Sequence, residues 1–281
     1  MKSLFFLSFL LLSGAVFAGS VDTVTVYSSS MRKNIRCVVI KPDNYKNKSL
    51  QFPTVYLLHG HGGSYNNWIN RVPDLKRHAD TYQVLIVCPD GAFNSWYYDS
   101  PVDTAFKYET FVSAEVPAYV DSKYRTIRNR NGRAITGLSM GGHGGLFLGF
   151  RHASFFGACG SMSGALVIEY ITSKQYGVAS RLGDTANKQL YRAYSIMGEM
   201  ERYPKDSLAI IMDCGTEDFV IPMSRAAHET MIALKIPHEY TERPGRHDWK
   251  YWKTAIEFQL LFFRNYFNQQ GAAGVAKTRA L

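Results

Sequence analysis

The chain has 281 residues, of which 46% are hydrophobic and 20% charged, and its formal net charge is +9 at pH 7. That length and apolar content suit one large domain with a sizeable core. The positive residues are scattered apart from a cluster at 125–133, which is typical of a solvated loop, and neither zinc-ligand spacing nor aromatic–basic interleaving indicates a nucleic-acid partner.

The first 18 residues have the pattern of a secretory signal peptide. Lys2 gives a short basic start, residues 4–12 form an apolar run, and Val16-Phe17-Ala18 fits the small-x-small cleavage rule. We therefore expect cleavage after Ala18 and a secreted or periplasmic protein. The apolar run is too short for a stable membrane anchor, and no later stretch has the length and apolarity of a transmembrane helix.

Hydrophobic runs and alternation predict short strands that alternate with helices along the rest of the chain. The predicted strands cover residues 21–27, 36–41, 54–58, 84–88, 134–136, 156–162, 208–214 and 238–242. The predicted helices cover part of 66–82, then 106–124, 142–150, 223–234 and 248–267.

This alternation predicts an α/β fold with a mostly parallel central sheet and helices on both faces. We expect a single catalytic domain over 19–268, with a cap-like insertion at 163–206, and a flexible tail over 269–281. Ligands of such sheets bind at the carboxyl ends of the strands. The residues that follow predicted strand ends are Gly60, Cys88, Ser139, Met162, Asp218 and His247.

The segment Gly137-Leu-Ser-Met-Gly141 matches G-x-S-x-G between a predicted strand and a predicted helix. This is the context of a nucleophile elbow, in which a tight turn exposes the serine and glycines two residues away avoid a clash. The turn also places the serine at a helix N-terminus, where a developing negative charge is favoured. The motif predicts Ser139 as a nucleophile.

A serine nucleophile needs a base, which follows the acid in α/β-hydrolase order. That order leaves His228, His238 and His247. His228 lies within a helical pattern, and His238 precedes a strand at its wrong end. His247 lies in a loop between the last strand and the last helix, so we predict it as the base.

The acid is expected after the preceding strand, where Asp213, Glu217 and Asp218 compete. Asp213 is still within the apolar strand, which favours a satisfied buried carboxylate. Glu217 and Asp218 both lie in the following loop. We predict Asp218, with Glu217 as the alternative.

Two backbone N–H groups are needed to bind an oxyanion. Met140 follows the nucleophile, and His61 lies in the glycine-rich loop after the strand at 54–58, so these two are the predicted donors. His59 and His61 could also suggest a metal site, but the further ligands of a dinuclear hydrolase are missing nearby, and no metal is expected.

The four cysteines leave two interpretations open. An exported protein could pair them, whereas their positions in or beside apolar runs favour buried free thiols. They are Cys37, Cys88, Cys159 and Cys214.

These motifs together resemble the esterase D or Putative esterase family of α/β-hydrolases, over nearly all of the chain after residue 20. Its members include S-formylglutathione hydrolases, tributyrin esterases, the feruloyl and acetyl-xylan esterases of carbohydrate esterase family 1, and the antigen 85 mycolyltransferases. The matching segments are Tyr56-Leu-Leu-His-Gly-His-Gly-Gly63, Asn94-Ser-Trp-Tyr97, Glu115-Val-Pro117, Gly137-Leu-Ser-Met-Gly-Gly142, Cys214-Gly-Thr-Glu-Asp218 and Gly245-Arg-His-Asp-Trp249.

The resemblance implies the α/β-hydrolase fold and the same assignments as the residues themselves: a triad of Ser139, Asp218 and His247, with His61 and Met140 as oxyanion donors. It also implies that Trp96 and Tyr97 border the acyl site, although simple packing on the sheet rim remains the alternative. It implies no cofactor.

The sequence therefore predicts a secreted or periplasmic serine carboxylesterase that acts through an acyl-enzyme on Ser139. Its substrates would be short acyl, acetyl or feruloyl esters, either small molecules or esters on plant polysaccharide. An acyltransferase of the antigen 85 type and a non-catalytic carbohydrate-binding relative are the alternatives. The sequence leaves the oligomeric state and the ester specificity open.

Overall fold

A single eight-stranded sheet is the centre of the fold. The computed structural model describes residues 19–171, 176–203 and 207–272. The predicted signal peptide and residues 273–281 of the predicted tail lie outside the described residues. The strands are β1 (Ser20–Ser28), β2 (Lys33–Lys41), β3 (Thr54–Leu58), β4 (Leu85–Pro89), β5 (Arg133–Gly137), β6 (Ala158–Met162), β7 (Ala209–Gly215) and β8 (Glu239–Arg243).

The strand order is β1-β2-β4-β3-β5-β6-β7-β8. The strands from β4 to β8 in this order are parallel, and the hairpin of β1 and β2 joins β4 antiparallel. The predicted α/β-hydrolase fold with a mostly parallel sheet is confirmed. The carboxyl ends of the parallel strands meet at one edge, where the loops that follow β3, β5, β7 and β8 come together.

The central strands are short and mostly apolar because both of their faces are covered. Every residue of β3, β4, β5 and β6 is buried. This is the pattern expected of parallel strands between two helical layers. The edge strand β8 has no fully buried residue, which agrees with its position at the end of the sheet.

Helices cover both faces of the sheet, and one hydrophobic cluster lies under each layer. The helices are α1 (Asn67–Arg71), α2 (Leu75–Tyr82), α3 (Tyr108–Thr110), α4 (Val116–Lys123), α5 (Met140–Arg151), α6 (Ala179–Leu182), α7 (Lys188–Ala193), α8 (Ile196–Arg202), α9 (Ile221–Ala233) and α10 (Trp249–Gln269). The residues of α4, α5 and α8 pack into one cluster, and those of α1, α2 and α10 pack into the other.

Two segments differ in detail from the prediction. The single helix predicted at 106–124 contains a wider π-helical turn at Phe111–Glu115 between α3 and α4. Helix α10 continues to Gln269, and Ala272 is only 2% exposed, so the start of the predicted flexible tail is packed against the domain. The described part of the predicted cap at 163–206 contains α6, α7 and α8.

The structure also bears on the pairing of the four cysteines and on membrane insertion. All four cysteines are free thiols and are buried, which answers the question that the sequence left open. Over residues 19–171, 176–203 and 207–272, no helix has the length and apolarity needed to cross a bilayer.

Candidate active site

Ser139 lies in a strained turn between β5 and α5. Its backbone has φ 55° and ψ −116°, a conformation that a non-glycine residue adopts only when its surroundings impose it. A Cβ on Gly137 would lie 2.5 Å from the Gly141 carbonyl oxygen, and a Cβ on Gly141 would lie 2.5 Å from that of His59. The two glycines of the motif are therefore a steric requirement of this turn.

The structure brings Ser139, His247 and Asp218 into one chain of hydrogen bonds. His247 Nε2 lies 2.9 Å from Ser139 Oγ, although 108 residues separate them. His247 Nδ1 lies 2.9 Å from each carboxylate oxygen of Asp218. Since Nδ1 must carry a proton to donate to that carboxylate, Nε2 is free to accept the serine proton.

The structure also separates the two candidate acids. Asp218 is 2% exposed and accepts the Val220 N–H at 3.0 Å in addition to the His247 contact. Glu217 points outward and pairs with Arg246 at 3.0 Å. Burial favours a raised pKa for Asp218, but the hydrogen bonds and charge interaction with His247 and the Val220 N–H outweigh it and hold the pKa below its usual value.

The backbone N–H groups of His61 and Met140 lie beside the serine. Among the described residues, neither N–H donates a hydrogen bond to another backbone group outside the regular elements, and Met140 is the first residue of α5, so it has no partner within that helix. His61 and Ser139 line the same two cavities. These observations are compatible with His61 and Met140 as oxyanion donors, a role that stays a prediction.

The loop that carries His61 is held by the buried side chain of His59. His59 Nε2 accepts the Gly91 N–H at 2.7 Å, so Nδ1 carries the proton that is donated to the Gly60 carbonyl at 2.8 Å. Burial lowers the pKa of His59, which keeps it neutral. Both of its nitrogens are therefore engaged within the protein, which leaves none for a metal ion.

The residues at 19–171, 176–203 and 207–272 contain no group of three or more His, Cys, Asp or Glu that could hold a metal ion.

His143, on α5, is fully buried, and burial lowers its pKa to about 3. Its Nε2 lies 2.9 Å from the Tyr98 hydroxyl, which donates to the Tyr194 carbonyl. His143 is a packing residue that links the elbow helix to the cap-like segment.

Ser139 lies where two cavities meet. The smaller one, the acyl pocket, has a volume of about 200 Å³ and an apolar lining. The larger one, the open groove, has a volume of about 370 Å³ and also contains His247. Beyond Ser139 and His61, the acyl pocket is lined by Trp96, Met140, Ala165, Tyr170, Ile171, Tyr176, Phe219, Val220 and Met223.

Of the two predicted acyl-site aromatics, only Trp96 lines the acyl pocket. Its indole Nε1 donates to the Tyr176 carbonyl at 2.9 Å. Tyr97 is fully buried and lines neither cavity, because its ring packs in the core and its hydroxyl donates to the His59 carbonyl at 2.9 Å. The expected substrate contact of Tyr97 is therefore wrong, and its position is that of a support beneath the His61 loop.

Several cavity-lining side chains were not predicted from the sequence. Phe219 follows Asp218 directly, and Trp249 and Trp252 follow His247 closely. Their closeness in sequence to the predicted triad residues could have indicated that they line the site. Phe219 is 62% exposed, and its ring lies 4.5 Å from that of His247. Arg71 also lines the open groove, and no local sequence pattern indicated this.

A buried polar network beneath the site was also not predicted from the sequence. Gln259, on α10, accepts from Thr136 Oγ1 at 2.8 Å and donates to Asp213 Oδ2 at 2.8 Å and to the Ser161 carbonyl at 3.2 Å. Tyr251, on the same helix, donates to Asp213 Oδ1 at 3.1 Å. The network thereby connects α10, which begins just after His247, to β5, β6 and β7.

Comparison with known proteins identifies the family to which the chain belongs. A family model described as Putative esterase matches residues 28–263. An acetyl esterase of Caldicellulosiruptor saccharolyticus is 28% identical over 258 residues, which cover 84% of this chain and 95% of that protein. An esterase of Mycobacterium tuberculosis is 26% identical over 240 residues, which cover 74% of this chain and 51% of that longer protein.

Solved structures show the same fold. A ferulic acid esterase superimposes with a TM-score of 0.76 at 30% identity, over 89% of this chain and 99% of that one. An S-formylglutathione hydrolase from Agrobacterium tumefaciens has a TM-score of 0.75 at 19% identity, over 90% of this chain and 98% of that one. The second similarity concerns the fold alone.

Proposed function

Because this chain belongs to the Putative esterase family and is a carboxylic ester hydrolase, we propose that it is a serine carboxylesterase that forms an acyl-enzyme on Ser139. The observation that carries the mechanism is the hydrogen-bonded chain from Ser139 through His247 to Asp218. A serine hydroxyl becomes a competent nucleophile when a neighbouring imidazole removes its proton and a buried carboxylate orients that imidazole.

The reaction starts with attack of Ser139 Oγ on the ester carbonyl carbon while His247 Nε2 takes the hydroxyl proton. The carbonyl oxygen becomes an oxyanion that accepts the N–H groups of His61 and Met140. The bond to the alcohol oxygen then breaks, and His247 returns the proton to that oxygen. Water repeats the sequence on the acyl-enzyme, which releases the carboxylic acid and restores Ser139.

The acyl pocket limits the acid part of the substrate. An apolar cavity of about 150 Å³ holds a benzene ring. A pocket of about 200 Å³ lined by Trp96, Met223 and Tyr176 therefore accommodates acetyl and other short acyl groups, or a single substituted aromatic ring such as a feruloyl group. Long fatty acyl chains would extend past the exposed Tyr170 and Phe219 into solvent.

The proposal is tested with p-nitrophenyl esters from acetate to octanoate and with methyl ferulate, using the wild type and Ser139→Ala. We expect Ser139→Ala to lower kcat by about 10⁶. The control Ser122→Ala removes an exposed hydroxyl on α4 that contacts the Tyr119 carbonyl, and it is expected to keep wild-type activity. A chelator is expected to leave activity unchanged, and mass spectrometry is expected to find the acyl group on Ser139.

Failure of the wild type to turn over any of these esters would overturn the esterase proposal. Activity that persists in Ser139→Ala would overturn the assignment of the nucleophile. Formation of acylated sugars when sugar acceptors are added would favour the acyltransferase alternative. The predicted signal peptide at residues 1–18 also leads us to propose that the enzyme acts outside the cytoplasm, on small esters or on esters attached to plant polysaccharide.

A further inference from the structure

The position of His247 distinguishes the two cavities at Ser139. His247 lines the open groove but not the acyl pocket. In an acyl transfer, the base returns its proton to the departing alcohol, so the alcohol must lie on the side of the base. The open groove therefore holds the alcohol part of the ester, and the acyl pocket holds the acid part.

One wall of the open groove is formed by α1, which contributes Asn67 and Arg71. These positions are four residues apart, so the two side chains lie on the same face of the helix. Asn67 Oδ1 accepts the Ser64 N–H at 2.5 Å. That contact occupies the amide oxygen, so the NH₂ group, which can only donate, remains for a ligand in the groove.

Arg71 is exposed and has no acidic partner in the described parts of the chain, where it forms neither an ion pair nor a side-chain hydrogen bond. Most other described arginines pair with a carboxylate or a carbonyl; Arg225, for example, contacts both oxygens of Glu242. Among the residues that the structure describes, no Asp or Glu lines the open groove. The α1 wall therefore presents hydrogen-bond donors and one uncompensated positive charge.

We propose that the alcohol part of the substrate carries a carboxylate or another anionic oxygen group that binds Arg71 and the Asn67 amide. The proposal rests on the proposed esterase function and adds the chemical class of the leaving group. A guanidinium with an adjacent amide donor matches a carboxylate because both present paired polar atoms in one plane. Arg71 acts in substrate selection, away from the reacting atoms.

The expected preference is moderate because Arg71 is exposed. Charge-assisted contacts in a partly open groove correspond to roughly a five- to tenfold change in kcat/KM. Screening by salt reduces an attraction of this kind, so we expect the preference to shrink between low ionic strength and about 0.5 M NaCl.

The test compares 3- and 4-acetoxybenzoate with the corresponding neutral acetoxybenzamides. Each pair shares the acetyl group and the aromatic alcohol and differs in the charge of the distal group. We expect Arg71→Gln to lower the ratio of kcat/KM for the anionic ester to kcat/KM for the neutral ester about five- to tenfold. Because the ratio compares two esters in the same variant, any loss of activity that both esters share cancels in it.

Arg77→Gln is the matched control. It removes the same charge six residues away, at a position that lines neither cavity and pairs with Asp74. We expect this variant to keep the wild-type ratio. A loss of preference as large as that of Arg71→Gln would mean that the overall charge, and not a contact in the groove, is responsible.

A second measurement does not depend on turnover. Binding of 4-acetoxybenzoate to the Ser139→Ala protein is followed by tryptophan fluorescence, since Trp249 and Trp252 line the groove. We expect the additional Arg71→Gln change to weaken this binding. Equal binding, or an unchanged ratio of rates in an active esterase, overturns the anionic leaving group and leaves the esterase assignment intact, whereas loss of all ester turnover overturns the esterase assignment.

Discussion

Replacing Gln259 with leucine tests the buried network that connects α10 to the sheet. Gln259 is fully buried, and its side chain contacts Thr136, Ser161 and Asp213. Leucine has a similar volume but forms none of these hydrogen bonds. The substitution therefore removes hydrogen-bond partners from buried polar groups.

The expected loss of stability follows from the polar groups that the substitution leaves without a hydrogen-bond partner. A buried neutral group without its partner costs about 1 kcal/mol, and a buried carboxyl group that loses a hydrogen bond costs about 2–3 kcal/mol. The added apolar side chain recovers about 1 kcal/mol. We expect the free energy of unfolding of Gln259→Leu to be about 3 kcal/mol lower than that of the wild type.

Urea denaturation followed by circular dichroism measures this difference through the midpoint and slope of the transition. Gln269→Leu is the control, because it makes the same change at an exposed position of the same helix and should shift stability by less than about 0.5 kcal/mol. Thr136→Val combined with Gln259→Leu should cost less than the sum of the two single changes. A loss below about 1 kcal/mol for Gln259→Leu would refute the network argument.

Two further predictions concern carboxylates near the site. Burial raises the pKa of Asp213 from 3.8 to about 6, against the opposing effects of Arg243, Gln259 and Tyr251. The folded state therefore retains a proton that the unfolded state loses, and stability should fall by about 2 kcal/mol as pH rises from 4 to 7. Urea titrations should show this slope in the wild type and not in Asp213→Asn, and equal slopes would contradict the assignment. Separately, Asp218→Asn should lower kcat by about 10⁴ at neutral pH because the wrong tautomer is favoured, whereas Glu217→Gln should change it less than twofold; the reverse order in steady-state assays would make Glu217 the acid.

Features that depend on near neighbours in the chain could be predicted from the sequence alone. The elbow at Gly137–Gly141 is recognisable because a tight turn requires glycine two residues on either side of the serine, and the structure shows the backbone contacts behind that rule. The buried strands were predicted almost to the residue; β3, for example, covers Thr54–Leu58 as predicted. A parallel strand buried on both faces must be a short continuous apolar run, which is visible without the fold.

Where adjacent residues have similar local patterns, their different roles become visible only in the tertiary structure. Asp218 and Glu217 are adjacent in one loop, and the turn after β7 directs Asp218 inward to His247 and Glu217 outward to Arg246. Trp96 and Tyr97 are also adjacent, yet the backbone turns one ring toward the acyl pocket and the other into the core. Side-chain direction in a loop is set by distant packing, which the local sequence does not encode.

The contacts beneath and beside the site also depend on the tertiary structure and not on the local sequence. Gln259 could have been noticed as the one amide among the apolar positions of α10, but its partners lie 123, 98 and 46 residues away. No local sequence pattern indicated Arg71, because its role depends on which cavity wall α1 forms. Periodicity and motifs act over a few residues, whereas these contacts arise from the order of strands in the sheet, and that order is fixed by the packing of the whole chain.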